Sequence, residues 1–148
     1  MIRDDLATKC AEAVYENPAP IVSQITVSDL VGNRHPQPWP GIVDTGADCT
    51  IVPVVACDDL GLSPRDWRFV RGFEDHATRR RLPRYYIQLS IDGLGEFPLL
   101  AFGGHRSSIV LGRDFLSGLI LLIDNHVSWR LGRHSLWSRL VARLLALR

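Results

Sequence analysis

The residues best suited to chemistry in this sequence lie in one short stretch around Asp44. Two β-branched residues, Ile42 and Val43, run directly into Asp44, and Thr45 and Gly46 follow it. β-branched residues favour strands, whereas an aspartate followed by a small residue and a glycine favours a tight turn. The pattern predicts a strand that ends by presenting one carboxylate on a turn.

A carboxylate in such a place suits acid–base chemistry, but one carboxylate cannot be general acid and general base at the same instant. Two facing carboxylates can, because like charges ~3 Å apart share one proton instead of both ionising. The ionised member draws a proton from a water held between them, and the protonated member polarises a scissile carbonyl. The sequence contains one Asp-Thr-Gly triplet. If the protein uses such a pair, the second carboxylate must come from another copy of the chain, across the two-fold axis of a homodimer.

A second motif, Ile109-Val110-Leu111-Gly112-Arg113-Asp114, again leads from apolar residues into a glycine turn. Together with Ile42-Val43-Asp44-Thr45-Gly46-Ala47-Asp48, it resembles the retropepsin family, the single-domain aspartic proteases of retroviruses and their cellular and bacterial relatives. The resemblance covers roughly residues 20–131. It implies an all-β, closed, barrel-like acid protease fold, with the aspartate turn at its floor and a flap hairpin above it.

The resemblance also implies a role for each residue near the turn. Asp44 is the expected catalytic carboxylate, and Thr45 matches a residue whose hydroxyl braces the two turns across the dimer. Gly46 allows the backbone to approach the substrate closely. Asp48 and Arg113 match an ion pair within one subunit, in which a planar guanidinium can meet a carboxylate bidentately. The complete set of expected supporting residues is Thr45, Gly46, Ala47, Asp48, Gly112 and Arg113.

The substrate-covering flap is expected between Trp67 and Pro83, with Arg71, Gly72 and Phe73 near its tip. Retroviral flaps are rich in glycine, whereas this one has a single glycine and many charged residues. We interpret its run of three arginines, residues 79–81, as a solvated part of the flap or its neighbouring loop.

Alternating apolar residues predict the strands that position the two motifs. A first strand is expected over residues 21–31, and residues 84–91 and 96–102 form a hairpin whose turn is Asp92-Gly93. Residues 54–60 favour a short helical turn closed by Gly61. The apolar run over residues 119–124 suits a buried strand, and a return strand follows it.

Both ends of the chain favour helix. Helix-forming residues over 4–16 predict an N-terminal helix that Pro18 and Pro20 end. A leucine stripe in the C-terminal tail predicts an amphipathic helix. The resulting division is an N-terminal helical arm over 1–19, a retropepsin-like domain over 20–132 and a C-terminal amphipathic helix over 133–148.

Composition narrows the classes of partner. The chain of 148 residues has 46% hydrophobic residues and a net charge of +1, which gives no general electrostatic reason to bind nucleic acid or a membrane surface. The five histidines lack the spacing of metal ligands, so neither a metal nor another cofactor is expected. Three cysteines without a CxxC pair, the absence of a signal-peptide pattern and the lack of a transmembrane segment predict a cytoplasmic protein.

The sequence therefore predicts a homodimeric aspartic endopeptidase that acts on polypeptides through Asp44. The alternative is a catalytically inactive domain of the same fold that binds peptides or mediates dimerisation.

Overall fold

A computed structural model describes residues 10–16, 19–71, 79–124 and 128–133. Strands are the main secondary structure of this part of the chain, beside two short helices, which confirms the predicted all-β fold. Its elements are, in order, β1 (Cys10–Glu16), β2 (Ala19–Ser28), β3 (Trp39–Val43), β4 (Ile51–Pro53), α1 (Val54–Asp59), β5 (Asp66–Arg71), β6 (Arg79–Ile91), β7 (Gly95–Gly104), β8 (Ile109–Leu111), α2 (Arg113–Leu116), β9 (Leu119–Asp124) and β10 (Ser128–Arg133).

The strands form a single sheet that closes on itself. Their order is β5-β6-β7-β4-β8-β3-β2-β1-β10-β9, and an additional antiparallel pairing places Ile25 of β2 opposite Ile91 of β6. This pairing turns the strands between β6 and β2 into a ring. Ile25, Ile87 and Leu89 are fully buried in the apolar core of the fold.

Several local predictions are confirmed. The β6–β7 hairpin turns where Asp92-Gly93 was expected, with Gly93 at a φ of 75° that glycine adopts without strain. The short helix α1 ends before Gly61, whose φ is 66°. The strand expected over residues 21–31 is β2, which ends earlier than expected, at Ser28. Asp29 accepts hydrogen bonds from the backbone amides of Val31 and Asn33 and so starts a turn.

The predicted N-terminal helix is wrong for residues 10–16, which form strand β1. This strand pairs antiparallel with β2 on one side and with β10 on the other. A short segment gains little from helix propensity alone, and hydrogen bonds to two neighbouring strands outweigh that preference.

The other expectations for the ends of the chain lie outside the described residues. These are the first nine residues of the predicted arm and residues 134–148 of the predicted C-terminal helix. The division into an arm, a protease domain and a terminal helix therefore stays a prediction. None of the helices in the described ranges is long and apolar enough to cross a membrane.

Candidate active site

The turn at Asp44 begins where β3 ends, and backbone hydrogen bonds fix its shape. The Asp44 amide donates to the Leu111 carbonyl oxygen at 3.1 Å, which continues the pairing of β3 with β8 by one residue. The Ala47 amide donates to the Asp44 carbonyl oxygen at 3.2 Å. The Gly46 amide donates to Oδ1 of Asp44 at 2.9 Å. These contacts hold the half-buried carboxylate in one orientation at the surface of the chain.

A parallel pairing of β3 with β8 places the second motif beside this turn. Val43 lies opposite Leu111, so both strands end at the same level. Beyond them, the Arg113 amide donates to the Ala47 carbonyl oxygen at 2.8 Å, and the guanidinium of Arg113 pairs with the carboxylate of Asp48. Two motifs that are far apart in sequence therefore form one backbone unit.

The ion pair between Asp48 and Arg113 is present, but it lies at the surface. The two side chains are 74% and 64% exposed in the single chain. Exposed pairs contribute at most about 1 kcal/mol to the free energy of unfolding, because water screens the charges. The pair orients the turn, and its contribution to the stability of an isolated chain is small.

Gly112 occupies a position that no larger residue fits. A Cβ atom added there would lie 2.4 Å from the carbonyl carbon of Cys49 and 2.9 Å from its amide nitrogen. Both contacts are with backbone atoms, which cannot rotate out of the way as a side chain can. The glycine of the second motif is therefore needed for the close approach of the two turns, and not for a positive φ.

A buried latch beneath the turn joins Thr50 to Asp114. The fully buried Thr50 hydroxyl donates to Oδ1 of Asp114 at 2.7 Å and accepts from the Gly112 amide at 3.2 Å. The Thr50 amide donates to Oδ2 of the same carboxylate at 2.9 Å. Sequence reasoning missed this latch. Asp114 was only the last residue of the second motif, and nothing local in the sequence indicates that its partner is Thr50.

A second carboxylate–guanidinium pair joins the two strands of the β5–β6 hairpin, the candidate flap, at its base. Asp66 and Arg84 face each other on β5 and β6, and two hydrogen bonds of 2.7 and 2.5 Å join their side chains. The hydrogen bonds from Arg84 lower the pKa of Asp66 below its ordinary value, and the same bonds raise the pKa of Arg84. Beside this pair, the guanidinium of Arg65 lies 4.9 Å from the ring centre of Tyr86.

An apolar cluster connects this hairpin to the active turn. Ile51, Phe102 and Val110 form its buried centre, and the partly buried residues around it include Ala47, Cys49, Val70 and Leu82. The β5–β6 hairpin therefore packs next to the aspartate turn, and its role as a flap stays a prediction. Arg71 is the last residue of β5, whereas Gly72 and Phe73 lie outside the described residues.

The cysteine beside the turn does not supply a nucleophile at neutral pH. Burial raises the pKa of the Cys49 thiol, the negative charge of Asp114 raises it further, and Arg84 offsets part of this effect. The thiol therefore stays protonated and acts as a small packing group. Within the described ranges, no group of three or more His, Cys, Asp or Glu side chains could hold a metal ion.

The architecture matches that of a known bacterial protein. The crystal structure of a retropepsin-like aspartic protease from Rickettsia conorii aligns with a TM-score of 0.55 and 14% sequence identity, over 82% of this chain and 88% of that one. This chain has a retropepsin-like fold. At such low identity the similarity establishes the fold alone.

Two viral proteases align less well. Simian foamy virus (mac) protease aligns with a TM-score of 0.44 and 14% identity, over 64% of this chain and 91% of that one. EIAV protease, in complex with the inhibitor HBY-793, aligns with a TM-score of 0.43 and 17% identity, over 70% of this chain and 92% of that one. No family model and no curated protein matches the sequence.

Proposed function

We propose that this chain is an aspartic endopeptidase that acts as a homodimer, with one Asp44 from each copy. The observation that carries the proposal is the fixed orientation of the Asp44 carboxylate, with the Gly46 amide 2.9 Å from Oδ1 on a turn that ends β3. The retropepsin-like fold agrees with it, since the Rickettsia protein of this fold is an aspartic protease. The expected substrate is a polypeptide.

The reaction requires the two carboxylates to differ in protonation. The ionised Asp44 takes a proton from a water molecule, and the water oxygen forms a bond to the scissile carbonyl carbon. The protonated Asp44 of the other copy gives its proton to the carbonyl oxygen, which produces a neutral tetrahedral diol. When the carbon–nitrogen bond breaks, the first carboxyl protonates the leaving nitrogen and the second takes a proton from a diol hydroxyl. The pair then returns to its starting state.

The supporting residues have distinct roles in this proposal. Thr45 is exposed in the single chain, so its hydroxyl is available to the opposing turn of a second copy. Gly46 is exposed beside it and leaves room for the substrate backbone. Gly112 and the Thr50–Asp114 latch hold the turn from below, so that the two Asp44 carboxylates meet in a fixed geometry.

The proposal is tested with Asp44→Asn, which keeps the shape of the side chain but removes its charge. We expect cleavage of an unstructured peptide to fall by at least about 100-fold, because acid–base catalysis is lost. The dimer should persist in sedimentation experiments. The matched control is Asp92→Asn in the exposed β6–β7 turn, which should keep full activity.

Inhibition gives an independent readout. A statine-type mimic of the tetrahedral diol should block the wild-type enzyme and fail to bind Asp44→Asn. If purified wild-type dimer cleaves no peptide from acidic to neutral pH and ignores the mimic, the inactive peptide-binding alternative is correct. Residence in the cytoplasm remains a prediction from the sequence.

A further inference from the structure

A cleft of about 690 Å³ lies beside the β5–β6 hairpin, and it is lined by both apolar and basic side chains. It is bounded by the β5–β6 hairpin, by α1 with the loop that follows it, and by the turn after β7. Much of its wall is apolar and is formed by Val54, Leu62, Pro64 and Trp67. Trp67 is 49% exposed, so part of its ring is open to a ligand.

The same cleft has a strongly cationic rim. Among the described residues that line it are Arg80, Arg81, Arg106 and His105, and the acidic residue among them is Asp58. The described lining of the cleft therefore has more basic than acidic side chains. A cleft lined by one sign of charge focuses its field and raises the local concentration of oppositely charged ligands.

One arginine is held in a defined place on this rim. The guanidinium of Arg81 lies 5.7 Å from the ring centre of Trp67, at a distance suited to a cation–π contact. Arg81 is nevertheless exposed to solvent, so its donors can reach a ligand. A planar guanidinium held on an aromatic ring binds a carboxylate bidentately at little cost in side-chain entropy.

The cleft and the aspartate turn pack against the same apolar cluster. Ile51 and Leu82 line the cleft, and both also belong to the apolar cluster that contains Ala47 and Cys49 of the aspartate turn. The two sites are therefore neighbours in the fold, and we infer that one extended polypeptide can contact both.

We propose that this cleft binds an acidic segment of the polypeptide substrate, at positions that flank the scissile bond. The inference rests on the proposed endopeptidase function and specifies its substrate class. Glutamate or aspartate side chains meet the arginine rim, and an aliphatic side chain between them packs on Trp67 and Leu62. The apolar wall favours such a peptide over a nucleic acid, which has no aliphatic side chains to fill it.

Binding is tested without catalysis, in the full-length Asp44→Asn protein. The probe is a short fluorescein-labelled peptide in which Glu and Leu alternate, and the comparison peptide has Gln in place of Glu. Fluorescence anisotropy should show at least about tenfold tighter binding of the acidic peptide. Added salt should weaken that binding, because part of the rim is exposed. Equal binding of the two peptides would overturn the proposal, as would equally tight binding of a single-stranded DNA of the same charge.

Arginine variants locate the site. Arg81→Gln should weaken binding of the acidic peptide by at least about fivefold. The matched control, Arg68→Gln, removes the same charge from the same hairpin at a residue that does not line the cleft, and should change binding by less than about twofold. An equal loss of binding affinity in the two variants would contradict the proposal that the acidic peptide binds in the cleft. If Arg81→Gln fails to fold, the comparison of the Glu and Gln peptides and the effect of salt on binding still test the proposal.

Cleavage kinetics separate this inference from the proposed function. In the active enzyme, Arg81→Gln should lower the ratio of kcat/KM for an acidic-flanked substrate to that for a neutral-flanked one by at least about fivefold. If no peptide is cleaved but the acidic peptide still binds through Arg81, the endopeptidase proposal fails and the cleft is a peptide-binding site. If both substrates are cleaved with an unchanged ratio in Arg81→Gln, the endopeptidase survives and the cleft proposal fails.

Discussion

The latch beneath the active turn makes a quantitative prediction for Thr50→Val. Valine has the same shape as threonine, so the packing around this fully buried side chain is preserved and only the hydroxyl is lost. Two hydrogen bonds disappear, the 2.7 Å bond to the Asp114 carboxylate and the 3.2 Å bond from the Gly112 amide. Asp114 keeps its bonds from the amides of Thr50 and Phe115, whereas the buried Gly112 amide is left without its acceptor.

These losses set the expected size of the effect. A hydrogen bond to a charged group contributes about 1.5–3 kcal/mol, and an unsatisfied buried amide costs about 1–3 kcal/mol. Since the carboxylate keeps other donors, we expect the free energy of unfolding to fall by about 3 kcal/mol. For a chain of this size, that corresponds to a decrease in Tm of roughly 6–12 °C.

Urea unfolding followed by tryptophan fluorescence measures the change in the free energy of unfolding. The protein concentration is kept fixed, because the proposed dimer would make stability depend on concentration. The control is Thr50→Ser, which keeps the hydroxyl and removes one buried methyl group, at an expected cost of about 1 kcal/mol. If Thr50→Val costs less than Thr50→Ser, or unfolds within about 0.5 kcal/mol of wild type, the latch does not stabilise the turn.

Three further predictions follow from the described contacts. Gly112→Ala should strongly destabilise the chain and abolish cleavage, whereas Gly118→Ala, whose added Cβ meets no atom within 4 Å, should unfold like wild type. The pKa of Asp66 is lowered in the folded chain, so its pairing with Arg84 stabilises the fold at pH values above the ordinary pKa of 3.8. This stabilisation is lost as the pH falls through the lowered pKa. The difference in the free energy of urea unfolding between wild type and Asp66→Asn should therefore decrease as the pH is lowered. Burial raises the pKa of the Cys57 thiol to about 12, so mass spectrometry should find it unmodified by iodoacetamide at mildly alkaline pH until urea unfolds the chain.

Much of the fold follows from signals that are local in the sequence. The β6–β7 hairpin is marked by Asp92-Gly93 between alternating strands, and the end of α1 is marked by Gly61. The aspartate turn is also marked locally, since the amides of Gly46 and Ala47 both donate hydrogen bonds to Asp44. Such features depend on neighbouring residues and can be predicted without knowledge of the tertiary structure.

The features that sequence reasoning missed depend on partners far along the chain. Residues 10–16 have helix-forming composition, yet they form a strand because β2 and β10 flank them in the sheet. Thr50 and Asp114 are 64 residues apart, and their side chains meet because β8 pairs with both β3 and β4. The exposure of the Asp48–Arg113 pair is also a property of the folded surface, and the motif alone does not reveal it.

The central claim is that two copies of Asp44 form one catalytic site. The most direct test is a crystal structure of the homodimer, in which the distance between the two Asp44 carboxylates is measured. We expect their nearest oxygen atoms to lie ~3 Å apart across a two-fold axis, close enough to share a proton. A catalytically active dimer whose Asp44 carboxylates are too far apart for one water molecule to contact both would contradict the account.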